Sequence, residues 1–138
     1  MNRALINEKL DSLGRCLARL SQKRPATLSQ LQDDIDLQDI IAINMERAVQ
    51  LCVDIASLLL ANTHCPPPQT MSDGFRQLAN EAIISQDLAS QLIKAVGFRN
   101  LAVHAYDTID WSIVYSLLDD DLADLRAFGA KIADLNSE

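Results

Sequence analysis

The sequence predicts an all-α fold, an antiparallel bundle of four main helices with additional short ones. Three observations carry this. Apolar residues recur at spacings of three and four in several long segments, the period of one helix face. Only four Gly and four Pro occur in 138 residues, far too few turns for an all-β fold. No segment shows the strict alternation of a strand. At this length the chain fits one compact helical domain spanning residues 1–138.

The first helix is expected over Asn2 to Gln22, where Ile6, Leu10, Leu13, Leu17 and Leu20 form one apolar stripe and Pro25 ends the run. Arg15, Arg19 and Lys23 lie on another face and, with Arg24, read as a solvated face. Thr27 to Asp34 is expected to form a short helical turn. A long helix follows from Asp36 to Asn62. Its stripe of Ile41, Met45, Ala48, Cys52, Ile55 and Leu59 is flanked by Ile40, Val49, Leu51 and Leu58, so it is apolar on several faces. Such a helix belongs at the centre of a bundle. Thr63 to Thr70, with three prolines, is a non-helical connector. A short helix is expected over Asp73 to Ala82 with Ser72 as its N-cap. Another begins after Ser85 and carries Leu88, Leu92, Ile93 and Val96. The last runs from Asp110 to Asp134 on Val114, Leu118, Leu122, Leu125, Phe128 and Ile132.

The N-terminal residues have no apolar core of signal-peptide length, and the most apolar stretch, Ile55 to Cys65, is too short to span a bilayer. Cys16, Cys52 and Cys65 form no C-x-x-C pair and read as reduced thiols in a cytoplasmic protein. His64-Cys65 with Cys52 fits no zinc spacing. Asp119-Asp120-Asp121 are adjacent, point in different directions and read as an exposed face rather than a Mg²⁺ site. The net charge of −7 gives no long-range attraction for a polyanion, so any nucleic-acid chemistry needs a locally basic groove.

The informative segment is Gly97-Phe98-Arg99-Asn100-Leu101-Ala102-Val103-His104-Ala105-Tyr106. If the helix after Ser85 continues through it at ~100° per residue, Tyr106 lies within ~20° of Arg99, and His104 within ~40° of Asn100. Asn100 and His104, four apart, are then neighbours. The same wheel puts the polar motif on the stripe that faces the core two turns earlier, while Phe98, Leu101 and Ala105 make the opposite side apolar. The helix end is expected to be covered on both sides, and a cation placed there needs partners. A groove between two subunits would supply them.

Arg99-Asn100-Leu101-Ala102-Val103-His104-Ala105-Tyr106 resembles the R-x4-H-x-Y signature of HepT proteins, within the HEPN superfamily. Phe98, Ile109-Asp110, Val114-Tyr115 and Glu46-Arg47-Ala48 are similar to the family as well. R-x4-H alone is a weak signal; the eight-residue string in an all-helical chain of this size is a specific one.

The resemblance implies a HEPN-like bundle acting as an endoribonuclease toxin, with Arg99, Asn100 and His104 as the catalytic residues. Histidine titrates where both a base for the 2′-hydroxyl and an acid for the leaving 5′-oxygen are needed. A guanidinium can clamp the charge of the pentavalent phosphorane. Neither role needs a metal or a cofactor. The resemblance also implies a homodimer that brings two Arg-His sets together, with Asn100 orienting His104. It further implies a minimal nucleotidyltransferase antitoxin as partner, which adenylylates Tyr106. The alternative is a non-catalytic HEPN subunit that binds a nucleotide or docks a nucleotidyltransferase.

Overall fold

In the computed structural model, which describes residues 2–137, six α-helices and one 3-10 turn follow in order. They are α1 (Arg3–Lys23), α2 (Leu28–Gln32), α3 (Ile35–Leu60), α4 (Met71–Asn80), α5 (Gln86–His104) and α6 (Trp111–Asn136), with the 3-10 turn at Tyr106–Thr108. No strand occurs among the described residues, and no described helix is long and apolar enough to cross a membrane. α1, α3, α5 and α6 form the four-helix bundle expected from the sequence. α3 lies at its centre, against α1, α4, α5 and α6.

The stripes that predict the helices are the faces that become buried. Ile6, Leu13 and Leu20 of α1 meet Ile41, Met45, Cys52 and Ile55 of α3, and Leu118, Leu125, Phe128 and Ile132 of α6 close the core. Burying each such aliphatic side chain contributes roughly 1.5–3 kcal/mol. Phe75 of α4 and Phe128 meet edge to face at 5.8 Å, the geometry that ring quadrupoles favour.

Side chains satisfy the free N–H groups at the helix starts. Asn2, Thr27, Asp34, Ser85 and Asp110 each accept from a backbone N–H two or three residues on. α4 departs from expectation. Its cap is Thr70, not Ser72: Thr70 Oγ1 accepts from the Asp73 N–H while the Asp73 carboxylate accepts from the Thr70 N–H, a capping box. The same helix stops at Asn80, because Ala82 turns to φ 59°.

A second difference matters more. α5 runs unbroken through Gly97 but ends at His104. Ala105 leaves the helical region at φ −147°, ψ 46°, and Tyr106 opens the 3-10 turn. The wheel that placed Tyr106 beside Arg99 therefore fails at its last step.

Candidate active site

The last turns of α5 leave the core. Its buried residues are Ala89, Leu92, Ala95 and Val96; beyond Val96 none is buried. Asn100 and His104 are exposed, and Leu101 and Val103 keep 44% and 41% of their surface accessible. The expected cover on both sides is thus only partial within this chain: Phe98, Arg99 and Ala102 are half-buried, while Asn100, Leu101, Val103 and His104 are exposed.

Arg99 is half-buried. Its Nη1 donates to the Asn100 side-chain oxygen at 3.2 Å, and its Nε is buried with no acceptor among the described residues. His104 is the terminal residue of α5, and no hydrogen bond joins it to Asn100 or Arg99 among the described residues. Within one chain, then, Asn100 is tied to Arg99 rather than to His104. Arg99 faces the α1/α3 side, as the lining of the groove there shows. His104 is no part of that lining, and five residues on it projects ~140° away.

Tyr106 has a defined place of its own. Its hydroxyl donates to Asp39 Oδ1 on α3 at 2.5 Å, and its ring meets Trp111 edge to face at 6.0 Å. Partial burial, then the Asp39 carboxylate accepting this hydrogen bond, push the phenol above its ordinary range. It is a neutral donor at neutral pH.

Two hollows flank the end of α5. The first, about 760 Å³, lies between α1 and α3 and holds Arg15, Arg19, Arg47 and Arg99. Arg15 and Arg19 are exposed, as read from the sequence, and also line this groove, whereas Lys23 and Arg24 do not; Arg24 pairs with Asp119 at 2.5 and 2.7 Å. The second, about 340 Å³, lies between α5 and α6, lined by Phe98, Leu101, Ile113, Val114, Leu117 and Asp121 among others. Asp121 is only half-exposed, in contrast to the exposed face expected of the acidic triplet. Burial, then Asp124 and Asp120, push its carboxyl up to about 6. Cys52 is fully buried in the core and Cys65 donates its thiol to Glu81, so the two cysteines serve separate regions.

Sequence reasoning missed the groove and Asp39. The signal for the groove was present in part: Arg15 and Arg19 are one turn apart and so share a face.

Residues 11–132 match the model of the family described as Ribonuclease HepT-like. The mRNA nuclease HepT of Shewanella oneidensis is 35% identical over 93% of this chain and 95% of that protein. The tRNA nuclease HepT of Aphanizomenon flos-aquae is 27% identical over 80% of this chain and 76% of its own length. Among solved structures, the tri-AMPylated Shewanella oneidensis HEPN toxin in complex with an MNT antitoxin superposes with a TM-score of 0.88 at 34% identity, covering 97% of this chain and 99% of that one. The bundle, the motif at the end of α5 and these likenesses together mean that the chain belongs to the HepT-like ribonuclease family, with the HEPN toxin fold.

Proposed function

We propose that this protein is an endoribonuclease toxin that cleaves RNA without a metal, as a homodimer, and is silenced by a nucleotidyltransferase antitoxin. The observation that carries the reading is the Arg99 to Tyr106 string at the exposed end of α5, in a chain 35% identical over 93% of its length to an mRNA nuclease. The division of labour follows from the residue types. His104 takes the proton of the 2′-hydroxyl, the 2′-oxygen attacks phosphorus, and the P–O5′ bond breaks as a second imidazole protonates the leaving oxygen. Arg99 stabilises the charge on the phosphorane. One chain carries one motif histidine, and Arg99 and His104 project from different sides of α5. Pairing two copies across the exposed Leu101 side of α5, from which His104 lies ~60° on the helix wheel, would give a site with two imidazoles. Asn100 holds the Arg99 guanidinium in the free chain, and as a positioning residue it keeps that fork oriented for phosphate.

Tyr106 is the proposed site of adenylylation. Asp39, which holds its hydroxyl, immediately precedes Ile40 of the arginine groove. AMP added there brings a phosphodiester charge beside the groove's end, where it competes with RNA phosphate.

His104→Ala and Arg99→Ala should each abolish RNA cleavage and growth arrest with helix content unchanged by circular dichroism. Wild-type cleavage should persist in excess EDTA and leave 2′,3′-cyclic phosphate ends. Full cleavage by either variant removes that residue from its role, and loss on chelation restored by Mg²⁺ removes metal independence. A protein that binds the antitoxin but never cuts RNA would instead be the non-catalytic docking subunit.

A further inference from the structure

We propose that the groove between α1 and α3 is the track for the RNA backbone, with Arg15 and Arg19 holding phosphates that lead to Arg99. This deepens the ribonuclease reading and rests on it. The chain carries 12 cationic residues against 19 acidic ones, yet four of its arginines, from three different helices, converge on one groove. Two carboxylates, Glu46 and Asp54, share the lining. Asp54 is already engaged by Lys9 Nζ at 3.5 Å and by Gln50 at 2.9 Å. None of the four arginines forms an ion pair among the described residues; Arg15 reaches only the Ser12 hydroxyl, at 2.9 Å. Four cations against two carboxylates, one of them already engaged, leave the groove locally positive in a protein of net −7, and an anionic ligand offsets that excess.

The shape selects a polyanion over a single small anion. The α3 side runs from Ile40 to Asp54, about 21 Å at 1.5 Å per residue. Arg15 and Arg19 stand one turn apart, ~6 Å along α1, a spacing that meets successive phosphates of an extended strand. Ile40, Ile43 and Leu51 add an apolar floor, Ile43 with 43% of its surface accessible, against which ribose and base faces can rest. The buried, unpartnered Nε of Arg99 marks the inner end of the track, where the backbone reaches the proposed catalytic guanidinium.

The test uses the full chain carrying His104→Ala, so that RNA stays intact, and a fluorescent single-stranded RNA of mixed sequence titrated by anisotropy across a salt series. Arg15→Gln/Arg19→Gln, exposed positions on α1 where Gln keeps helix propensity, should weaken binding roughly tenfold or more by removing charge-assisted hydrogen bonds to phosphate. The slope of log K against log salt should flatten by about 1.4, ~0.7 for each single-strand phosphate no longer neutralised. With His104 intact, the same pair should raise KM and leave kcat within about twofold, since uniform binding is what these arginines supply. Arg76→Gln, on α4 outside the groove, should change none of these. Unchanged affinity and slope in the double variant, with wild type still cutting RNA, overturns the track and spares the ribonuclease reading. RNA binding that depends on Arg15 and Arg19 without any cleavage by wild type overturns the ribonuclease reading and keeps the track.

Discussion

The two hollows beside the end of α5 are built from opposite materials. On the α1/α3 side, unpaired guanidinium groups surround a small apolar floor. On the α5/α6 side, Phe98, Leu101, Ile113 and Leu117 form an apolar wall edged by Asp110, Asp120 and Asp121. One helix end feeds both: Arg99 faces the first and Leu101, two residues on, faces the second. A strictly amphipathic helix could not do this, because its second face would belong to solvent. The difference separates an anion-binding side from a side suited to protein. Three carboxylates against the single Lys94 make this cleft unfavourable for phosphate, and Leu101, Ile113 and Leu117 leave accessible apolar surface beside it.

Charge placed on the apolar wall should do the most damage. Leu101→Asp with Ile113→Asp, at positions 44% and 56% exposed, should leave the monomer folded while abolishing self-association. If two copies must meet across this surface, cleavage should fall by roughly a hundredfold or more, the scale expected when catalytic groups lose their alignment. Light scattering and a cleavage assay on the same sample settle it. A monomeric variant that cuts RNA as well as wild type would mean that one chain suffices.

The architecture was legible because its signals are local. The all-round apolarity of α3 announced a central helix, and Ser85 and Asp110 were readable as starts. Thr70-x-x-Asp73 is also a written capping box, but Ser72 stands nearer the apolar run and competes with it as a start signal. What could not be read is what depends on distant partners. Nothing at Ala105 to Asp107 is Gly or Pro, so the sequence carries no stop signal for α5. The turn is set by Tyr106 reaching Asp39, 67 residues earlier, and by Asp110 capping α6. Likewise Arg15 and Arg47 share a groove only because α1 lies along α3.

Tyr106 ties the motif's turn to α3, beside the arginine groove. Tyr106→Phe deletes the hydrogen bond to Asp39 and leaves the ring against Trp111. The partly exposed bond to a carboxylate should cost about 1 kcal/mol in chemical denaturation, with nuclease activity largely kept. Incubation with the antitoxin and ATP should add AMP to wild type and none to the variant, as intact mass would reveal. A variant that is modified and silenced like wild type places the switch on another residue.

The smallest effect tests the acidic edge of the apolar cleft. Asp121 is half-buried on α6, and burial followed by the neighbouring Asp124 and Asp120 raises its carboxyl to about 6, against about 3.9 in an unfolded chain. Between these values the folded protein binds more protons than the unfolded one, so stability falls as pH rises through that window. Above about pH 6 the full penalty of a crowded carboxylate is present; below about pH 4 it is gone. Asp121→Asn should therefore stabilise the protein at neutral pH by about 1 kcal/mol, a figure discounted for the solvent that still screens this side chain. Near pH 4 the variant and wild type should unfold at nearly the same denaturant concentration. A gain of equal size at both pH values would come from packing or hydrogen bonding instead. In that case the cleft's acidic edge carries no electrostatic strain, and its contrast with the arginine groove reduces to the apolar wall alone.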